Sequence, residues 1–331
     1  TDAAGRTTTF SHDLYGKLTS VRFTGASSSV NNLAYAYVSG VNGDIMGELQ
    51  SVTVNGGQWT YAKSDAGANR TITVTNPLGQ IDRTVVSTIA TGLIATDKDG
   101  ANNTTSHQYD GSGRVTRVTA PEGNYVQYGY DGRGNLTSTT ATAKVGSGLN
   151  NIVTSATYDA SCTSSTLKTC NKPLTTTDAL GGVTNYTYDA THGGVLSVTA
   201  PAPAAGGVRQ QVTYAYTAYL GIYRPTAITT CATAQTCAGT VNESKTTIAY
   251  TGAHLLPTTI SSGSGSGSLT ATTLLTYTSA GDVATADGPL SGTSDTSYFF
   301  YDASRAPLGQ IGPDPDGAGA LKRRATKTTF I

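Results

Sequence analysis

The sequence predicts an all-β chain of repeated antiparallel β-hairpins, about 24 strands in all, arranged as a coiled, shell- or solenoid-like β-sheet. Three observations predict it. The 331 residues include 59 Thr, 39 Gly and 19 Tyr against 5 Phe, 1 Trp and 1 Met; Thr and Tyr favour strands, and Gly favours turns. A short pattern, an aromatic or aliphatic residue, one spacer and then Tyr, recurs along the whole chain. Turn signals follow these anchors and return about half a repeat later.

The anchors come first. They read Tyr35-Ala36-Tyr37, Trp59-Thr60-Tyr61, Tyr128-Gly129-Tyr130, Tyr186-Thr187-Tyr188, Tyr214-Ala215-Tyr216, Ile248-Ala249-Tyr250, Leu275-Thr276-Tyr277 and Phe299-Phe300-Tyr301. Weaker members end at Tyr109, Tyr158, His12 and Phe330. Successive anchors are 21 to 34 residues apart, except for one double step between Tyr61 and Tyr109 in which a member is lost. Residues 1–331 therefore read as a single array of about 12 hairpin units.

The turns come next. Asp13-Leu14-Tyr15-Gly16, Asp110-Gly111-Ser112-Gly113 and Asp131-Gly132-Arg133-Gly134 follow anchors directly, and Asp189 to Gly194 is a longer version. Asp opens such turns because its carboxylate accepts nearby backbone amides, and Gly supplies the position with positive φ. The half-repeat turns are Asn76-Pro77-Leu78-Gly79, Ala120-Pro121-Glu122-Gly123, Asp178-Ala179-Leu180-Gly181 and Asp314-Pro315-Asp316-Gly317. Two turns per repeat make each unit a hairpin with strands of roughly eight or nine residues. Two dozen strands at ~4.8 Å each would span over ~100 Å. Open sheets rarely exceed about 10 strands without curling, so this one must coil, each unit leaning on its neighbours. Tyr and the residue two before it share a face, which predicts a ladder of rings across neighbouring hairpins. The ladder residues are Tyr37, Tyr61, Tyr109, Tyr130, Tyr158, Tyr188, Tyr216, Tyr250, Tyr277 and Tyr301. The opposite face is mostly Thr, Ser, Ala and Gly, so no thick apolar core is required.

Charge narrows the partners. Lys+Arg and Asp+Glu number 21 each and cancel. That balance excludes a nucleic-acid footprint, which needs clustered cations. No apolar run approaches the ~20 residues of a membrane helix, so no membrane insertion is expected.

The Tyr-Asp-x-x-Gly-Arg/Asn-Leu/Val element with its following Pro-x-Gly turn resembles the YD repeats of the RHS family, most closely over residues 107–137 and 184–199. The family includes bacterial RHS proteins, toxin C-components and wall-associated proteins, with teneurins as animal relatives. The resemblance implies a spiralling sheet that closes into a hollow shell, which in many bacterial members encloses a toxic C-terminal domain. Both ends of the sequence fall within a repeat, at Asp2-Ala3-Ala4-Gly5-Arg6 and at Phe330. A fragment of a longer chain is expected, one without the family's core segment and C-terminal toxin.

Four cysteines form two local pairs, Cys162/Cys170 and Cys231/Cys237. Local disulfides fit best, each closing a short segment between strands, with free thiols and metal binding as weaker alternatives. Disulfides imply an oxidising compartment, hence secretion or display on a bacterial cell surface. The histidines His12, His107, His192 and His254 lie in four different units and read as flat rings substituting for Tyr or as turn residues. No Ser/His/Asp constellation emerges from spacing. Gly263-Ser264-Gly265-Ser266-Gly267 reads as a flexible hairpin tip or small linker rather than a phosphate loop. Asp314-Pro315-Asp316-Gly317 resembles only part of a calcium loop. Lys322-Arg323-Arg324 reads as a solvated strand edge. No catalytic residue, metal or cofactor is expected. The expected role is a structural, non-enzymatic wall segment whose partners are the remainder of its own longer chain or neighbouring subunits. A carbohydrate-binding or adhesive module, with glycans as ligand, and the repeating unit of an extracellular filament are the alternatives.

Overall fold

The computed structural model describes residues 6–23, 31–38, 47–204, 206–231, 235–251, 255–317 and 319–329. The opening turn-like stretch at Asp2 to Gly5, the expected anchor Phe330 and His254 lie outside the described residues. Within them the regular elements are 25 β-strands. No helix among the described residues is long and apolar enough to cross a membrane. The chain divides into two compact units, one of Thr1–Tyr130 and Ser138–Val153, the other of Asp131–Thr137 and Thr154–Phe330.

The first unit begins with β1 (Thr8–His12), β2 (Leu18–Phe23), β3 (Leu33–Tyr37), β4 (Leu49–Val54), β5 (Gly57–Ala66) and β6 (Asn69–Thr75). It continues with β7 (Ile81–Thr88), β8 (Ile94–Asp99), β9 (Thr104–Tyr109), β10 (Val115–Thr119) and β11 (Tyr125–Tyr130). Each of these strands pairs antiparallel with the next. The segments that form β12 (Leu136–Thr142) and β13 (Ile152–Thr157) are each divided between the two units.

In the second unit, the rest of β13 is followed by β14 (Thr175–Thr177), β15 (Val183–Tyr188), β16 (Val195–Thr199), β17 (Gln211–Tyr219), β18 (Ile222–Cys231) and β19 (Glu243–Tyr250). Then come β20 (Pro257–Ser264), β21 (Thr270–Tyr277), β22 (Val283–Asp287), β23 (Ser297–Tyr301), β24 (Pro307–Ile311) and β25 (Ala325–Lys327). Here too each strand runs antiparallel to its sequence neighbour. Each strand pairs with its neighbour in sequence, so the pairings are local, and many of them close through a short turn. Most strands have five to eight residues rather than the expected eight or nine. The difference goes into five-residue turns and bulges.

Register sorts the two faces as alternation predicts. Val118 of β10 faces His107 on one side and Val126 on the other, while Arg117 faces Gln108 and Gln127. Tyr186 faces Val198, and Thr187 faces Ser197. The anchor face is thus aromatic and aliphatic, and the opposite face polar. On the polar face, hydroxyls pair across strands: Thr157 with Thr175 at 2.7 Å, Thr187 with Ser197 at 2.7 Å, and Thr276 with Thr285 at 2.6 Å. Such pairs contribute modestly, within roughly 0.2–1 kcal/mol each. The apolar core is thin. Among the described residues Val21, Cys170 and Cys231 are the buried hydrophobic side chains, and most strand positions are only half covered. Stability must therefore come from the hydrogen-bonded strand pairs, the turns and what ties one hairpin to the next.

Candidate functional site

The turn is the first tie. Asp110 donates its amide to the Arg114 carbonyl at 2.9 Å, and Gly113 donates to the Asp110 carbonyl at 3.0 Å. The Asp110 Oδ1 accepts the amides of Ser112 and Arg114 at 2.9 and 3.0 Å. Gly113 sits at φ +79°, where a side chain is resisted. Asp13, Asn76, Asp99, Asp131, Asp178 and Asp302 repeat the same pair of carboxyl or amide oxygen bonds to the residues two and four ahead. The turns at Asp13, Asp110, Asp131 and Asp302 after anchors and those at Asn76, Asp99 and Asp178 half a repeat later are therefore one geometry used on both edges of the sheet, whereas the expected turn at Asp314 departs from it, its amide donating to the Ser294 carbonyl at 2.6 Å. Asn102 and Arg305 occupy the positive-φ position in two of them. Backbone amides hold the carboxyls of Asp110 and Asp189 below the usual carboxylate range.

The second tie is the tyrosine. Beside the anchors His12, Tyr37, Tyr109, Tyr188, Tyr216, Tyr250, Tyr277 and Tyr301 the pairing slips by one residue, a β-bulge on the returning strand. Ser87 occupies the same place in β7, opposite Ile94, and so fills the lost member of the repeat. A bulge interrupts the ladder locally. The hydroxyl of a later anchor fills the gap. Tyr109 donates to the Ile94 carbonyl at 2.8 Å, Tyr130 to Val115 at 2.9 Å, Tyr216 to Val195 at 3.0 Å and Tyr250 to Pro225 at 2.8 Å. Tyr37 reaches Leu18, Tyr158 reaches Leu136, Tyr188 reaches Pro173 and Tyr277 reaches Pro257. In six of these eight clamps the accepting residue is the one that faces the preceding anchor across its bulge. Burial pushes the hydroxyls of Tyr188, Tyr216, Tyr250 and Tyr277 up from the ordinary tyrosine value.

The rings themselves meet other groups. His107 lies 6.5 Å from Tyr109 and Tyr186 lies 6.4 Å from Tyr188, pairs two residues apart along one strand. Lys17, Arg114 and Lys172 place cations over Tyr37, Tyr130 and Tyr188 at 5.2, 4.8 and 5.3 Å. Tyr61 differs from Tyr216, whose strand also continues past the anchor, because β5 runs on from Tyr61 to Ala66 with no slip in its pairing.

Two disulfide loops replace ordinary turns. Cys162 and Cys170 are bonded, with Cα atoms 5.3 Å apart, and Cys231 and Cys237 are bonded at 5.7 Å. The first loop stands where a five-residue turn would follow Tyr158. Arg133, from the turn before, donates to the carbonyls of Asp159, Ala160 and Cys170 and to Asn171 Oδ1. Lys168 and Lys172, from the loop, donate to the carbonyls of Thr191 and Gly193 in the turn after. The insert therefore bridges the turns on either side. His192 packs in that following turn, 4.6 Å from Tyr216 and 4.2 Å from Tyr223, and its Nδ1 accepts the Gly194 amide at 3.0 Å.

The second loop lies on the opposite edge, where Glu243 is buried and accepts the Gly239 amide at 2.7 Å. The Gly-Ser run is docked on it rather than a free linker: Gly265 donates to the Glu243 carbonyl at 2.9 Å and Ser266 to Thr240 at 3.1 Å. A Cβ on Gly265 would fall 1.8 Å from Glu243 Oε2, so only glycine allows that approach. Arg323 also departs from the expected solvated edge. It is partly covered, donates to the Thr296 carbonyl at 2.9 Å and lies 5.5 Å from the Tyr298 ring. Asp314 and Asp316 direct carboxylate oxygens to backbone amides, of Asp316 at 3.3 Å and Leu321 at 3.0 Å. Among the described residues no three His, Cys, Asp or Glu side chains cluster as a metal site would require.

One hairpin, one turn geometry and one tyrosine clamp, repeated in series, define a β-hairpin repeat protein. Residues 90–124 and 109–145 match the RHS Repeat family, so this stretch of the chain carries RHS repeats. No curated protein matches it. Among solved structures it is similar to the Tc holotoxin pore of Photorhabdus luminescens, at 12% identity over 92% of this chain and 21% of that one, with a TM-score of 0.36. A TcdB2–TccC3–Cdc42 complex is similar at 12% identity, covering 94% and 22%, with a TM-score of 0.33. A porin-like protein from Bacteroides uniformis is 11% identical over 82% of this chain and 92% of that one, with a TM-score of 0.22. The chain spans about a fifth of the length of the two toxin structures. Likeness at these identities and scores assigns neither partner nor activity.

Proposed function

We propose that the chain is a structural, non-enzymatic stretch of wall in a larger secreted or cell-surface YD-repeat protein, and that its hairpins run as one continuous array. The observation that carries this reading is the series of eight tyrosine clamps, each joining its hairpin to an earlier strand, with little apolar core to organise a catalytic pocket. Two disulfides support an oxidising, extracellular setting. The wall belongs to a shell that shelters cargo carried by the remainder of the longer polypeptide. Image reconstruction of that intact polypeptide tests the reading. A closed shell with protease-resistant contents is the expected result; an open rod or a solid globule would overturn it.

The polar face favours a second reading. Rows of Thr and Ser hydroxyls, with Arg117 stacked 3.6 Å over Tyr125, offer the ring faces and hydroxyl partners that carbohydrates use. A glycan array that returns specific binders, lost on Tyr125→Ala, supports it; an array without hits removes it.

A further inference from the structure

The loops on the edge opposite the tyrosine anchors carry a second pattern. In the second unit six successive loops lie on that edge, from β14–β15 to β24–β25. Each presents one large apolar side chain to solvent: Leu180, Val208, Val241, Leu269, Leu290 and Leu321, between 49% and 98% exposed. Single exposed leucines are ordinary. Six in six consecutive loops of one edge are not. In the anchor-edge loops of the same unit only Leu167 and Leu220 are comparably exposed among the described residues.

We propose that this row is a self-association surface, and that its occupant is the same row of a second copy of the chain. Two measures point to it. Loops of one edge are separated by two strands, so the loops repeat about every 9.6 Å along it. A partner must share that period to engage all six. A second copy does, and with its row offset by half a period, the loops of the two copies alternate about every 4.8 Å, which brings their side chains close to van der Waals contact. The area also fits. At 1.5–3 kcal/mol and ~25 cal/mol per Å² for a buried aliphatic side chain, the row offers roughly 400 Å² of apolar surface. A standard interface buries about 800 Å² per partner, somewhat over half of it apolar. The net charge of zero places no long-range repulsion between copies. The proposal is independent of the wall reading, since a wall segment need not pair laterally.

Sedimentation of the 331-residue chain across micromolar to hundred-micromolar concentrations tests it, alongside the triple variant Leu180→Ser, Leu269→Ser, Leu290→Ser. The expected result is a concentration-dependent dimer whose dissociation constant rises at least about 100-fold in the variant. Far-UV circular dichroism and Tm should be unchanged, because these side chains stand in solvent. The control Leu167→Ser, Leu220→Ser should still dimerise. A monomer at every concentration, or a dimer that survives the triple substitution, overturns the proposal. So does a monomer that binds phosphatidylcholine vesicles through the row, which would assign the surface to lipid.

Discussion

Residues 99–135 and residues 158–243 solve the same problem with different material. In the first stretch, the turns at Asp99, Asp110, Ala120 and Asp131 are five residues long and close on their own backbone. In the second, two connections are replaced by disulfide-closed inserts and held by Arg133, Lys168, Lys172 and Glu243. Yet the clamp is the same across both: Tyr130 on Val115, Tyr188 on Pro173, Tyr216 on Val195. The turn is the variable part of the repeat. The tyrosine-to-carbonyl bond, together with the bulge, is the part that recurs, and it can do so because it joins strands in the sheet and makes no demand on loop length.

Removing the Cys162–Cys170 bond in a Cys162→Ala/Cys170→Ala variant should test that contrast most severely. The closed loop runs from Cys162 to Cys170, and chain entropy alone puts the loss near ~2.5 kcal/mol. Thermal melts should show the loss under non-reducing conditions. Dithiothreitol should lower the wild-type Tm more than the variant's, which keeps only the Cys231–Cys237 bond to lose. Tyr130→Phe and Tyr188→Phe should each cost about 1–1.5 kcal/mol, since each leaves a half-buried carbonyl without its donor. Equal costs in chemical denaturation support a shared clamp; a cost at Tyr188 alone would make it a property of the disulfide region.

Titration separates the two ties. The hydroxyls of Tyr188, Tyr216, Tyr250 and Tyr277 have folded pKa values raised by burial. Their contribution is fully present below the unfolded value near ~10 and is lost as pH rises through the folded values. The turn carboxyls run the other way. Asp110 and Asp189 are lowered by backbone amides, so their contribution holds above an unfolded pKa near ~3.9 and is lost as pH falls through the folded values. Melting curves should therefore fall on both sides, with Asp110→Asn blunting only part of the acid limb. The smallest effect is expected at Arg305, at φ +67° and paired with Asp282 at 2.7 Å. Arg305→Gly removes the backbone strain and Arg305→Ala keeps it. Both lose the ion pair, so the glycine variant should melt higher than the alanine variant.

Much of the fold was legible because its signals are local. An Asp or Asn with a Gly three residues on specifies a five-residue turn through bonds that span at most four residues, as Asp110 and Gly113 do. The recurring Tyr was equally visible. Its partner was not, because Tyr130 and Val115 are fifteen residues apart and meet only once a bulge has set the register. The docked Gly265 escaped for the same reason: a Gly-Ser run signals freedom, and only the approach to Glu243 shows why glycine is required there. Arg323 reads as one of three exposed cations until Thr296 is placed beneath it.

The all-β class, the hairpin repeat, the turn chemistry and the pairing of nearby cysteines each depend on residues within one hairpin, so the chain alone carries them. Which carbonyl each tyrosine holds, how the first insert bridges the turns beside it, and that six loop side chains fall on one edge emerge only with the folded sheet. These depend on strand register and edge, which are set by the sum of many pairings rather than by any local run of residues.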